Sequence, residues 1–233
     1  MRLISYFLNM TKKIDKLCTG RYTIPIKLFF RHDERGLKMK LGEVALVRSG
    51  LVLSRKAAKR PSPFRYSLLS LRAMSGEGEI LEEELDVFHA AEPLKEEYLT
   101  RPGDIIVRLS APYTAVLIES KWENIVVSSN FVIIRVDAQR VVPEYLAWYL
   151  NRSWIKRKIY KDSSSNMLGA AKSALFRKMS LSLPSLEDQY RIGQVFLLAR
   201  KESALLFSLA EQKKKYYEDI LEQMNDRTRR NLS

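Results

Sequence analysis

Three residues set out the most demanding chemistry this chain could do. Asp104, followed by Glu119 and Lys121 in "IESK", gives the acid, acid-x-lysine order of a metal-dependent nuclease core. Two carboxylates there would hold Mg²⁺, and the lysine would orient or activate water. A plainer reading stands beside it. Asp104 closes the turn-forming Pro102–Gly103–Asp104, Lys121 sits at a strand end next to Trp122, and strands contain such a pattern by chance. Other bond-breaking chemistry lacks its residues. His32, His89 and Cys18 have no zinc-site spacing. The sequence contains neither a phosphate-cradling G-x-x-x-x-G-K-[ST] nor an Asn/Asp-Pro-Pro-Tyr/Phe tetrapeptide, and no cofactor is expected.

Binding chemistry is better supplied. The 233 residues carry 40 Lys/Arg against 27 Asp/Glu, a net charge of +13. Residues 1–72 hold 17 bases and 4 acids, whereas residues 73–104 hold 2 and 10. Basic segments separated by an acidic one suggest one face aimed at a polyanion and another left for protein contacts. Nucleic acid is the favoured polyanion, the alternative being a lysine-rich solvated surface. The densest cationic stretch is "RSGLVLSRKAAKRPSPFR", with Arg48, Arg55, Lys56, Lys59, Arg60 and Arg65 as phosphate contacts. In "RLSAPYTAV", Arg108 suits guanine, Ser110 can hydrogen-bond, and Tyr113 could stack or touch a thymine methyl, or simply pack in the core. In "KDSSSNMLGAAKS", Asn166 suits adenine and Lys172 a phosphate, with hydroxyls at Ser163 to Ser165. "NRSWIKRKIYK" reads as a basic helical edge; Trp148 and Trp154 suit packing better than base stacking.

These residues need elements to hold them. "LGEVALVRSGL" predicts a strand entering a glycine turn, and "RYSLLSLRAM" a second strand. The acidic run from Glu77 to Asp104 predicts a loop, and "DIIVRLS", "TAVLIES" and "NFVIIRVD" predict buried strands. Pro143 opens a helix through "VPEYLAWYLNRSWIKRKIY", with Leu146, Tyr149, Leu150 and Ile159 at helical spacing. A short helix "ALFRKM" and a strand "SLSLP" follow. The expected fold is α+β, a mixed α/β recognition domain over residues 39–184. Residues 1–38 form an extension whose order composition does not fix. One cysteine argues against disulfides and for a reducing cytoplasmic setting, the start does not read as a signal peptide, and no apolar run is long enough to span a membrane.

After Pro184 the chain changes character. Ser185 and Asp188 make a capping signature, no proline follows, and Gly193 is the last glycine. Ile192, Phe196, Ala199, Ser203, Leu206, Ala210, Lys213, Tyr217, Ile220 and Met224 alternate by four and three residues, the spacing of a seam for another helix. A helix from Leu186 to about Arg229 would run ~65 Å, too long to lie on its own domain. Residues 185–233 are therefore expected to be a long dimerisation or spacer helix, its partner on another chain.

"LSLPSLEDQYRIGQVF" resembles the Leu-Pro-x-Leu-Glu-x-Gln block that closes the target-recognition domain in specificity subunits of type I restriction–modification systems. "LGEVALVRSGLVLSRK", "RPGDIIVRLSAPYTAVLI" and "SSSNMLGAAKSALFRKMSLSLP" are similar to the family's opening strand, middle strand–loop–strand and closing loop–helix–strand. The middle loop departs from the family in having no glycine, so its base contacts do not carry over. The resemblance covers about Met39 to Met224. It implies a non-catalytic subunit that reads double-stranded DNA for a partner adenine methyltransferase and a restriction translocase. Family members carry two recognition domains and two helices; each landmark occurs once here. The resemblance therefore implies a half-size subunit that pairs with itself or another half through antiparallel helices, the rod acting as a ruler between half-sites. A stand-alone nucleic-acid-binding regulator and the nuclease are the alternatives.

Overall fold

The computed structural model describes residues 37–164 and 173–230. Asn166 and Lys172, most of the serine-rich loop and the extension up to residue 36 lie outside the described residues. Among those described, strands β1 (Leu37–Lys40), β2 (Ala45–Ser49), β3 (Phe64–Leu69), β4 (Asp86–Ala90), β5 (Ile105–Arg108), β6 (Ala115–Leu117), β7 (Val126–Val127), β8 (Phe131–Val136) and β9 (Ser180–Leu183) form three sheets. The α-helices are α1 (Leu41–Val44), α2 (Pro143–Asn151), α3 (Ser153–Ser164), α4 (Ser173–Lys178) and α5 (Leu186–Arg230), and four short 3-10 turns lie between these strands.

The central sheet is antiparallel, in the order β2-β8-β5-β6, with Ile105 opposite both Ile134 and Leu117. Its strands are apolar without interruption because both faces are covered. Ile105 and Val107 on β5, with Val132 and Ile134 on β8, point into a core shared with Leu146, Leu150, Ile155, Ile159 and Phe176 of the helices. Ile106, Val116 and Ile133 point the other way, onto Leu69, Met74, Ile80 and Val127. A second sheet, β4-β3-β7, packs Leu68, Phe88 and Val126 with Leu51 and Leu94. β1 and β9 pair antiparallel as a separate ribbon.

Three expectations change. "LGEV" is a helical turn rather than the start of a strand, because Leu41 and Val44, three apart, both enter the core. The acidic run is not all loop: β4 pairs with β3, Tyr66 opposite Phe88, with Phe88 and Ala90 buried and Val87 and His89 exposed. The single helix expected from Pro143 breaks at Arg152, whose backbone is extended. Asn151, just before the break, anchors to the edge strand β6. Its amide donates to the carbonyls of Ala115 and Ala147, and its oxygen accepts from the Ala115 N–H. The Arg152 guanidinium then lies over the Trp148 ring, 4.8 Å from its centroid.

The start of α5 is built as its sequence indicates. Ser185 Oγ accepts from the Asp188 N–H at 3.1 Å and donates to the Asp188 carboxylate at 2.8 Å. Gln189 is 1% exposed; its side-chain oxygen accepts from the Val142 N–H, which no helical bond satisfies, and its amide donates to the Pro184 carbonyl. One glutamine thus joins the N-termini of α2 and α5. A Cβ at Gly193 would fall 2.8 Å from the Glu144 Cβ and 3.2 Å from the Tyr145 nitrogen, so only glycine lets the two helices approach this closely. Ile192 and Phe196 pack on the same core.

Candidate nucleic-acid interface

The candidate binding residues fall into groups that the fold keeps on different elements. Arg108 leaves β5 at the end of the central sheet where β2 exits and β8 enters. There Gly50 N–H donates to the Phe131 carbonyl and Leu109 N–H to the Asn130 carbonyl. Arg108 Nε donates to Ser110 Oγ at 3.2 Å, so these two half-exposed side chains are held together. Tyr113 takes the core alternative: it is buried with a left-handed φ of 55°, and its hydroxyl lies 3.0 Å from Ser163 Oγ on α3. Its ring does not face out for stacking. The tyrosine instead ties the middle loop to the end of α3, where the serine-rich segment begins.

On α3, Ile155, Ile159 and Ser163 point inward while Arg157, Lys158 and Lys161 are exposed, together with Trp154 and Tyr160. Lys156 is half-buried beside them, and burial pushes its ammonium below the usual lysine range.

The other cations flank the second sheet. Gly50 is the crossing point, since a Cβ there would sit 2.1 Å from the Ser128 carbonyl oxygen. Beyond it, Ala57 bridges Ala90, which lays the segment carrying Arg55, Lys56, Lys59 and Arg60 along β4. Arg65 on β3 stands opposite His89, both exposed; sequence reasoning missed His89 because β4 was hidden in the acidic run. Arg55, Lys59, Arg60 and Arg65 are exposed, and none makes an ion pair among the described residues.

The acidic run divides: Glu77, Glu79, Glu82 and Glu83 stay exposed and make no ion pair among the described residues, while its second part neutralises bases. Glu97 accepts from Arg48, Glu92 from Lys56 and Glu96 from Arg101, and Asp86 accepts from Arg72 at 2.8 Å. The Glu92 hydrogen bond raises the Lys56 pKa, and the ammonium lowers that of Glu92. Arg48 and Lys56 are thus cations already engaged, unlike the four free ones.

The nuclease arrangement is not assembled. Asp104 is 1% exposed, and its carboxylate accepts two hydrogen bonds of 2.7 Å from Arg135 and one of 2.9 Å from the Arg101 N–H. The bond to Asp104 holds the Arg135 guanidinium above its usual pKa. Glu119 and Lys121 point to solvent, Lys121 lying 4.9 Å from the Trp122 ring centroid. Asp104 is a buried structural acid rather than a metal ligand. The signal available in sequence was Arg135, the one charge within an otherwise apolar strand.

No family model and no curated protein matches the sequence. Solved structures do. The HsdS subunit from Thermoanaerobacter tengcongensis superposes with a TM-score of 0.56 at 19% identity, covering 77% of this chain and 46% of that one. A chain from a structure on complex assembly and conformational transition of the type I R-M system gives 0.54 at 20% identity, covering 78% and 46%. This chain has the HsdS fold. It spans a little under half the length of both HsdS-like chains, and the shared part takes in more than three quarters of its own residues.

Set on that fold, α5 divides in two. Its first turns, through Arg200, dock on the domain, and Arg200 donates to the Gly78 carbonyl at 2.5 Å. From Lys201 to Thr228 every residue except Ile220 is exposed, including Leu205, Leu206, Phe207, Leu209, Tyr216, Tyr217, Leu221 and Met224. Of the seam residues expected from spacing, Ile192 and Phe196 serve the domain's own core, whereas Ala199, Leu206, Ala210, Tyr217 and Met224 stand exposed and Ile220 is half-buried. No helix among the described residues is long and apolar enough to cross a membrane.

Proposed function

We propose that this chain supplies one target-recognition half of the DNA-specificity subunit of a type I restriction–modification complex. It binds duplex DNA, does no bond-breaking itself, and directs a partner adenine methyltransferase, and through the complex a restriction translocase, to a bipartite site. The observation that carries the reading is the two-part helix: a target-recognition-like domain holds its first turns, and the rest projects with an uncovered apolar stripe.

Within that reading, Arg55, Lys59, Arg60 and Arg65 grip phosphates, while Arg108 and Ser110 reach base edges. Arg48 and Lys56 join them by exchanging Glu97 and Glu92 for phosphate. Asn166 and Lys172 keep the roles expected from their chemistry, adenine reading and phosphate contact. The free part of α5 mates with a second half-subunit.

The test is co-expression with the methyltransferase subunit of a type I system, followed by genome-wide mapping of methylated adenine. An interrupted palindromic motif is the expected result. No new methylation with any genomically adjacent methyltransferase would overturn the reading. In direct binding, replacing Lys59 and Arg60 by alanine should reduce the slope of log affinity against log salt by about 0.9 per lost phosphate contact, equally on all sequences.

A further inference from the structure

The exposed face of α5 is not the continuation of its docked face. At about 100° per residue, Gln189, Ile192, Gly193, Phe196 and Arg200 centre on one line along the helix. The exposed apolar residues from Val195 to Met224 centre on another, about 120° around the axis. Along that second line, Val195, Ala199, Glu202, Leu206, Leu209, Lys213, Tyr216 and Ile220 follow each other at intervals of 4, 3, 4, 3, 4, 3 and 4. All are exposed except Ile220, which is half-buried. The interval pattern is a palindrome about a point between Phe207 and Ser208, and the chemistry on its two arms is complementary rather than identical.

From this we infer that α5 pairs with α5 of a second copy, antiparallel, about a two-fold axis crossing between Phe207 and Ser208. The antiparallel direction is the one the family resemblance implies; the inference rests on the dimer of the functional reading and fixes its register. Leu206 then meets Leu209 of the second copy at the centre. Glu202 meets Lys213, the small Ala199 meets the large Tyr216, and Val195 meets Ile220, each pair occurring twice by symmetry. One heptad further out, Arg227 comes opposite Asp188. A parallel pair in register would instead face Glu202 with Glu202 and Lys213 with Lys213 inside the seam. Sliding the antiparallel pair by one heptad sets Glu202 against Ile220 and Lys213 against Leu209, which desolvates both charges unpaired. The register is thus selected by two charges and one small–large contact.

The experiment uses the full chain with Cys18→Ser. Sedimentation of wild type, Glu202→Lys, Lys213→Glu and the double charge swap gives the dimer dissociation constants. Each single reversal should weaken the dimer by about tenfold, and the double swap should restore it. An equimolar mixture of the two single variants should form a heterodimer of wild-type affinity. Under oxidation, the Glu202→Cys/Lys213→Cys protein should cross-link as a dimer, while either single cysteine should not. A wild-type dimer whose double swap stays weak, or a single cysteine variant that cross-links to itself, overturns the register and leaves the dimer. A wild-type chain that is monomeric at every concentration overturns both.

Discussion

The two halves of α5 have similar apolar periodicity and opposite fates. Leu186 to Arg200 is held by the domain through Gln189, Gly193, Ile192 and Phe196, whereas Lys201 to Thr228 touches almost nothing. Apolar spacing alone does not say which half is covered. The distinguishing residues are a buried amide and a glycine, neither of which adds hydrophobicity. A hydrophobic stripe specifies that a helix will be covered; the polar and small residues beside it specify by what.

The sharpest way to break this comparison is truncation. A chain ending at Arg200 should keep a cooperative unfolding transition with a midpoint close to that of the whole protein, because nothing beyond it is buried in the domain. A chain ending at Pro184 loses Gln189, Ile192 and Phe196 and should not fold; circular dichroism on both settles the matter. Gln189→Leu comes next. It leaves the Val142 N–H and the Pro184 carbonyl unpaired, and should cost about 2–4 kcal/mol in urea unfolding. Gly193→Leu should cost about 1–3 kcal/mol by forcing α2 and α5 apart, while Ala210→Leu, on the free half, should stay within about 0.5 kcal/mol.

The smallest effect concerns pH. Burial pushes the Tyr145 hydroxyl, on the helix that receives α5, up to about 12. Unfolded, it would ionise near 10, so its contribution is complete below pH 10 and is lost as pH rises from there toward 12. Tyr145→Phe should therefore lose less stability than wild type over that interval, in the whole protein and in the Arg200 truncation alike. Equal slopes for Tyr145→Phe and wild type would show that this hydroxyl does not couple to folding.

Much of the fold was legible because its signals are local. The apolar runs of β5, β6 and β8, the Ser185 cap and the proline start of α2 all read directly. β4 did not, since its two inward residues are embedded among acids, of which Asp86, Glu92 and Glu97 meet Arg72, Lys56 and Arg48 earlier in the chain. The break after α2 was hidden for the same reason: Asn151 acts on β6, 36 residues away. Of the candidate site, the types of residue were legible but not their engagement. Sequence marks Arg48 and Arg55 as equals, and only the fold gives one of them a carboxylate. Likewise Asp104 carries the chemistry of a metal ligand until Arg135 occupies it.

The angular offset between the docked and free faces of α5 has a mechanical consequence. In the inferred pair the two docking glycines would lie about 44 Å apart along the rod, from a rise of about 1.5 Å per residue. Because that rise is tied to about 100° of rotation, separation and azimuth of the two heads behave like the travel and turn of a threaded shaft. A seven-residue insertion between Arg200 and Lys201, outside the Glu202–Lys213 pair, would push each head outward by about 10 Å and nearly restore its bearing, whereas a four-residue insertion there would swing it by about 40°.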